Sequence, residues 1–385
     1  MPKIPFRSSD FNIEGNLKWT VRQFTTYRQF FLSSCSRFDR VNHSKSGRKE
    51  EVELKRWLLS TVILATIALV GCSTSSQTKL LAAIDAIPSK HLENYSFDPH
   101  SSLISRIKDA PEFALSYSRT FDENKLESAY LPSAQQLQLI SEYLDLLPPT
   151  RLQLLKDRLV AIYFIDHMQE SGVCDWVYDR NHEIFVVQFF NPKTLTTNIS
   201  DWLSYRESSG FAPDDSSLAI SVDAGTKYLA FLYALLHETT HFVDYVTHVT
   251  PFVEPNVGYF EGSRVTSTKF TDHVWASYRR PTDGFDFTDR DKLTFYGIGK
   301  APTVPLSRVP QLYHSLTQSP FVTLYATQAW AEDLADCFMW YYLTQKLGQP
   351  FVIKVMSKSH ELASYTPSLS QQNMDRLKVL ETLSN

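Results

Sequence analysis

Cysteine is scarce in this chain: four residues in 385, Cys35, Cys72, Cys174 and Cys337, too few to build a disulfide scaffold. Glycine is sparse as well, at 12 residues, and it follows no repeat, which excludes a collagen-like chain. Surplus positive charge is missing too: 38 Lys and Arg stand against 42 Asp and Glu, a net of −4. The imbalance is uneven, because residues 1–71 hold 12 basic and 6 acidic side chains, leaving 26 and 36 for residues 72–385. A body that acidic excludes general nucleic-acid binding, since each phosphate contact needs a cation; no nucleic-acid partner is expected. What is present is ordinary globular material, 43% apolar and 13% aromatic with 19 prolines. That excludes coiled-coil and wholly disordered chains and suits one large domain or two modest ones.

Near the N-terminus, Trp57 to Val70 is an uncharged, mostly apolar run preceded by Lys55-Arg56 and followed by Gly71-Cys72-Ser73. It falls short of the roughly 20 residues that span a bilayer as a helix. Basic flank, apolar stretch and small residues at the end read as a secretory signal. Leu69-Val70-Gly71-Cys72 resembles the lipobox of bacterial lipoproteins. The resemblance implies that the chain is cut before Cys72, that its thiol is acylated, and that the lipid holds the protein on a membrane. Ser73 after the cysteine resembles the Gram-negative sorting pattern, which implies the outer membrane, facing the periplasm. Such signals stand at the very start of a chain. Residues 1–53 are therefore expected to be a non-native extension from a mis-assigned start, or a disordered tail, with 54–71 as the signal peptide. The alternative is a genuine cytoplasmic tail on a single membrane helix.

Residues 72–132 read as a Ser/Thr tether followed by helical patterns at about 77–87 and 100–108. From 133 to 385 the chain reads as the main domain. Ser133–Leu146 is helical, with Leu137, Ile140, Leu144 and Leu147 on one face. Pro148-Pro149-Thr150 stops that helix and starts another, running to about Ile165. Cys174–Tyr178 and Ile184–Phe190 predict a hairpin around Asp179-Arg180-Asn181-His182, and Leu218–Val222 a further strand. A long helix follows from about Thr226 to Val246, then an aromatic-rich insert at 250–320, a helix at about Ala326–Leu347 and a terminal helical segment. Helices, a small sheet, then helices predict an α+β fold.

The chemistry lies in His237-Glu238-Thr239-Thr240-His241, an HExxH pattern inside a strongly helical context. From this chain's His and Glu frequencies the pattern is expected by chance roughly 0.015 times in this length. Four residues apart, the two imidazoles share one helix face about 6 Å apart along the axis. Both can reach one ion, with Glu238 beside the open coordination position. Two histidines hold zinc poorly, so a third ligand is required. The metzincin pattern needs Gly and His where this chain has Asp244 and Thr247. His248 is about 10 Å further along the helix and cannot join the same ion. Asp244 reads as a solvated helix charge, the alternative being an acceptor behind a ligand histidine.

In Ala331-Glu332-Asp333-Leu334-Ala335-Asp336-Cys337-Phe338, Glu332 and Asp336 share a helix face. This resembles the gluzincin arrangement, which implies Glu332 as the third metal ligand and Asp336 as the acid holding a ligand histidine through its other ring nitrogen. Asp333 is then a bystander. The spacing Glu332, Ala335, Asp336, Phe338 is similar to the lethal-factor-type branch of the gluzincins. There a catalytic tyrosine stands seven residues before the ligand glutamate, the position of Tyr325. The resemblance covers two blocks, about 40 residues in all. It implies a zincin-like fold, a small antiparallel or mixed sheet on the active-site helix, with the remainder largely helical. It also implies Zn2+ as cofactor, Glu238 as general base and Tyr325 as oxyanion donor.

The expected function is hydrolysis of peptide bonds in a peptide or protein substrate of the cell envelope. The alternatives are a catalytically silent zinc-binding lipoprotein and a zinc amidase acting on cell-wall peptides. Ile184–Phe190 or Leu218–Val222 is either the edge strand for a bound peptide or a plain core strand, and the sequence leaves both open. Most insert aromatics are expected to pack the insert itself rather than line specificity pockets, and Arg279-Arg280 to be solvated rather than to grip a substrate carboxylate. Cys174 and Cys337 either pair in an oxidising compartment or stay as buried free thiols.

Overall fold

The computed structural model describes residues 77–122, 126–214, 216–367 and 374–385. Cys72 and the signal segment lie outside the described residues. Among the described residues, no helix is long and apolar enough to cross a membrane.

The first sheet has four strands, β1 (Ser128–Tyr130), β2 (Leu159–Asp166), β3 (Gly172–Tyr178) and β4 (Ile184–Phe190), in the order β1-β2-β4-β3. β2 and β4 run parallel; β1 and β3 are antiparallel to their neighbours. Its strands are apolar nearly throughout because both faces are covered. Leu159, Ile162, Phe164, Trp176, Val186 and Phe190 face the main core, whereas Val160, Ala161, Tyr163, Ile165, Val177 and Phe189 face a second one. Helix α1 (Glu112–Asp122) contributes Ala114 and Leu115 to that second layer. A register shift between Leu159 and Ala161 puts Val160 and Ala161 on the same side without losing the alternation beyond them.

Helix α2 (Ala134–Leu144) starts at a capping box in which Ser133 Oγ accepts from Gln136 N and the Gln136 side chain accepts from Ser133 N. Helix α3 (Pro149–Arg158) stops seven residues before the expected Ile165. The run from Leu159 is rich in β-branched and aromatic side chains, and pairing on both edges overrides the helical continuation. Only a short 3-10 turn, Ile104–Arg106, stands within the helical pattern at 100–108.

Helix α4 (Ile199–Ser209) packs on a second, antiparallel sheet of order β5-β8-β9: β5 (Leu218–Asp223), β8 (Val352–Ser357) and β9 (His360–Tyr365). The β8-β9 hairpin corrects the all-helical C-terminal expectation. Val352, Lys354 and Met356 alternate with buried Ile353 and Val355, a period of two. Helix α9 (Met374–Leu383) then closes the chain.

Helix α5 (Ala230–Thr247) is the central element, buried continuously from Ala230 to Tyr245. It starts later than Thr226 because Asn198 and Leu229 form an extended bridge first. It ends where His248 turns left-handed, φ 55°. One side of α5 lies on β3 and β4, the other on α8 (Trp330–Tyr341). The 250–320 stretch contains α6 (Pro255–Glu261), the short pair β6 (Trp275–Ser277) and β7 (Arg280–Pro281), and α7 (Val309–Leu316). It packs against α8 (Trp330–Tyr341) as well as against itself: Trp330 N donates to Tyr278 O at 3.1 Å, and Trp275 Nε1 to Asp333 at 2.8 Å. The expected single helix Ala326–Leu347 is three pieces. Ala329 is extended, separating a 3-10 turn (Tyr325–Gln328) from α8, and a wider π-turn (Tyr342–Lys346) ends it. The described chain is thus a mixed fold of small sheets and many helices, compatible with α+β.

Candidate metal centre

His237 and His241 stand one turn apart on α5, their rings edge-to-face with centroids 4.8 Å apart. Glu332, in the first turn of α8, reaches both. His237 Nε2 lies 3.1 Å and His241 Nε2 3.6 Å from Glu332 Oε2, and the two Nε2 atoms are 3.2 Å from each other. An ion held tetrahedrally at about 2.0–2.1 Å separates its ligands by about 3.3–3.4 Å, so the triangle has the size a metal needs. The donor set fits as well. His237 Nδ1 lies 3.0 Å from Asp336 Oδ1; a proton there leaves the Nε2 lone pair aimed at another imidazole nitrogen and a carboxylate. Three electron-rich atoms facing one point call for a cation, and these three residues could hold one. The Glu332 side chain keeps 25% of its exposure whereas that of His237 keeps 3%, so the site meets solvent on the glutamate side.

Electrostatics point the same way. Burial works against a charged His237, but Tyr233, Asp336, Glu332 and Glu238 together push its imidazole well above the ordinary range. Burial likewise works against a charged Glu332, yet His241 and His237 hold it well below the usual carboxylate range. Asp336 is fully buried; Arg206 beside it and the His237 contact outweigh desolvation and keep it low. Its second oxygen accepts from Thr323 Oγ1. His241 Nδ1 is buried with no partner among the described residues, so only one of the two histidines is held from behind.

Glu238 is buried, and burial raises its carboxyl, with Glu332 adding to the rise and the two histidines and the Cys174 N–H opposing it. It lies against the sheet at Gly172, where an added Cβ would meet Glu238 Cγ and Phe190 Cδ1 at 2.9 Å and Phe189 O at 3.0 Å. Strand β3 is therefore the sheet edge beside the site. Of the two alternatives for Ile184–Phe190 the core strand holds, since it is interior, between β2 and β3. Leu218–Asp223 is an edge sealed by α4, since Ser204 Oγ accepts from Val222 N and Ser200 Oγ from Ala224 N. The edge of β3 itself closes beyond Cys174. Trp176 O accepts from Lys90 Nζ at 3.2 Å, and Tyr178 bridges His91.

Tyr325 stands on the turn before α8, its ring 5.8 Å from that of His237 and 5.1 Å from Phe295. Burial first, then Glu332, Tyr233, Tyr296 and Glu238, raise its phenol well above the ordinary value; it stays a neutral donor.

Other expected residues lie elsewhere. Asp244 is not solvated: it is buried and accepts from Thr250 N at 2.6 Å and Thr250 Oγ1 at 2.5 Å, fastening the end of α5 to the next loop. His248 faces Glu261 at 3.6 Å. Asp333 is no bystander, since Arg376 of α9 reaches it at 2.6 Å and Trp275 donates to it. Cys174 and Cys337 are separate buried thiols, the latter within 3.4 Å of Asp333. Arg280 pairs with Asp283 on the surface. The sequence offered no motif for Gly172, Arg206 or Thr323, because each acts through a contact distant in the chain. Comparison with protein-family models, with curated proteins and with solved structures returned no match to this chain.

Proposed function

We propose that this chain is a zinc-dependent peptidase of the gluzincin type with a zincin-like fold, acting on peptide or protein substrates in the cell envelope. The observation that carries the reading is the convergence of His237 Nε2, His241 Nε2 and Glu332 Oε2, with Glu238 buried beside them. Zinc held by those three residues would supply Lewis acidity, activating water near neutral pH and polarising a peptide carbonyl. Glu238, its affinity for protons raised by burial, takes the proton of the attacking water and delivers it to the departing amine. Tyr325, a neutral phenol, donates to the carbonyl oxygen as it gains negative charge. Asp336 fixes the tautomer of His237 and strengthens it as a ligand.

An extended peptide would pair with the outer edge of β3 over Gly172–Cys174, next to Glu238. Closure of that edge by Lys90, Asp175 and the His91 bridge keeps the pairing short on that side. The lipid anchor at Cys72 and the outer-membrane location rest on the sequence pattern alone. The test is metal analysis together with a peptide-library cleavage assay on wild type and Glu238→Gln. We expect one zinc per chain in both proteins and cleavage only by wild type; cleavage surviving in metal-loaded Glu238→Gln would overturn the mechanism.

A further inference from the structure

We infer that Arg206 is a positioning residue that ties the orientation of the metal ligand His237 to that of Tyr325. The inference rests on the metal-centre reading above and goes beyond it, to a residue of α4 that touches no ligand directly.

Arg206 is fully buried. Its Nη1 donates to Asp336 Oδ1 and to Tyr233 Oη, each at 2.9 Å, and its Nη2 to Glu207 Oε1 at 2.9 Å. Glu207 is braced in turn by the Tyr313 hydroxyl at 2.6 Å. Asp336 Oδ1 therefore accepts from Arg206 and from His237 Nδ1 at the same time. Asp336 Oδ2 accepts from Thr323, whose hydroxyl also accepts from Ala326 N at 2.9 Å. That contact caps the very turn that carries Tyr325. The guanidinium carbon lies 4.9 Å from the Tyr325 ring and 5.1 Å from the Tyr233 ring. One planar cation thus reaches His237 through its edge and Asp336, and Tyr325 through its face. A lysine keeps the charge but has neither the fork nor the flat face, so it should loosen both groups at once.

The experiment uses the full chain loaded with Zn2+ or Co2+ and compares wild type with Arg206→Lys and Tyr313→Phe. Circular dichroism and thermal melting establish folding. Chelator competition measures zinc affinity, the visible spectrum of the Co2+ form reports ligand geometry, and peptide cleavage gives kcat and KM separately. For folded Arg206→Lys we expect zinc affinity weakened about 10–100-fold, the size of effect seen for partners behind a metal ligand. We also expect shifted Co2+ bands and a loss in kcat larger than any change in KM. Tyr313→Phe, which removes one hydroxyl at the far side of the network, should move the same readouts in the same direction by less. It keeps the inference testable if Arg206→Lys fails to fold. Zinc affinity and Co2+ spectrum unchanged from wild type in a folded variant would overturn this inference alone. Wild type that binds neither metal would overturn the metal-centre reading along with it.

Discussion

Replacing Gly172 by alanine adds one methyl at the contact between the sheet edge and Glu238. That methyl would sit 2.9 Å from Glu238 Cγ, 2.9 Å from Phe190 Cδ1 and 3.0 Å from Phe189 O. Normal carbon contacts begin near 3.5 Å, so about half an ångström must be found on three sides. Phe189 O belongs to the backbone of β4 in the middle of the sheet, and Phe190 is fully buried. Neither yields easily, which leaves Glu238 as the group that moves. Overpacking of this kind typically costs about 1–3 kcal/mol. A misplacement of a reacting group approaching 1 Å can cost about 100-fold in rate. We therefore expect Gly172→Ala to melt several degrees lower, to bind zinc nearly as well as wild type, and to lose about 10–100-fold in kcat/KM on any peptide that wild type cleaves. Thermal melting, zinc titration and cleavage kinetics on one preparation would measure all three. Wild-type kcat/KM in a protein carrying that alanine would refute the assignment of Glu238's position against β3.

Removing the proposed third ligand with Glu332→Ala should weaken zinc binding by more than the ~10–100-fold typical of a partner behind a ligand, read by chelator competition. Zinc affinity should also rise with pH through and above the ordinary imidazole range, because the metal displaces a proton that His237 holds more firmly than usual; titrations at three pH values would check it. The same raised imidazole stabilises metal-free protein below about pH 6.5, the ordinary histidine value, and that contribution is lost as pH climbs through the higher folded value. Thermal melts of metal-free protein should therefore fall as pH rises, while zinc-loaded protein falls less. On the far side of α8, Arg376→Ala strands the buried carboxylate of Asp333 and should cost about 3–5 kcal/mol in urea unfolding, with the Asp333→Asn/Arg376→Ala pair costing less than the sum of the two single changes.

Local chemistry was legible from the residues in order. HExxH on a helix announces two imidazoles on one face by helical geometry alone, and Glu332 with Asp336 announces a second acidic face the same way. Alternation and turn residues marked the β3-β4 hairpin and β5. What could not be read this way depends on partners far along the chain. The helix expected through Ile165 becomes β2 because β1 and β4 flank it on both edges. Asp244 and Asp333 read as solvated or idle from their neighbours in sequence. They are buried because Thr250 and Arg376 reach them. Only the packing of α8 against α5 puts Glu332 within 3.1 Å of His237 across 95 residues, and only α4 brings Arg206 to Asp336 across 130. Periodicity fixes which residues share a face of one element. Which faces meet is decided by how all the apolar surfaces are buried together, a property of the whole fold.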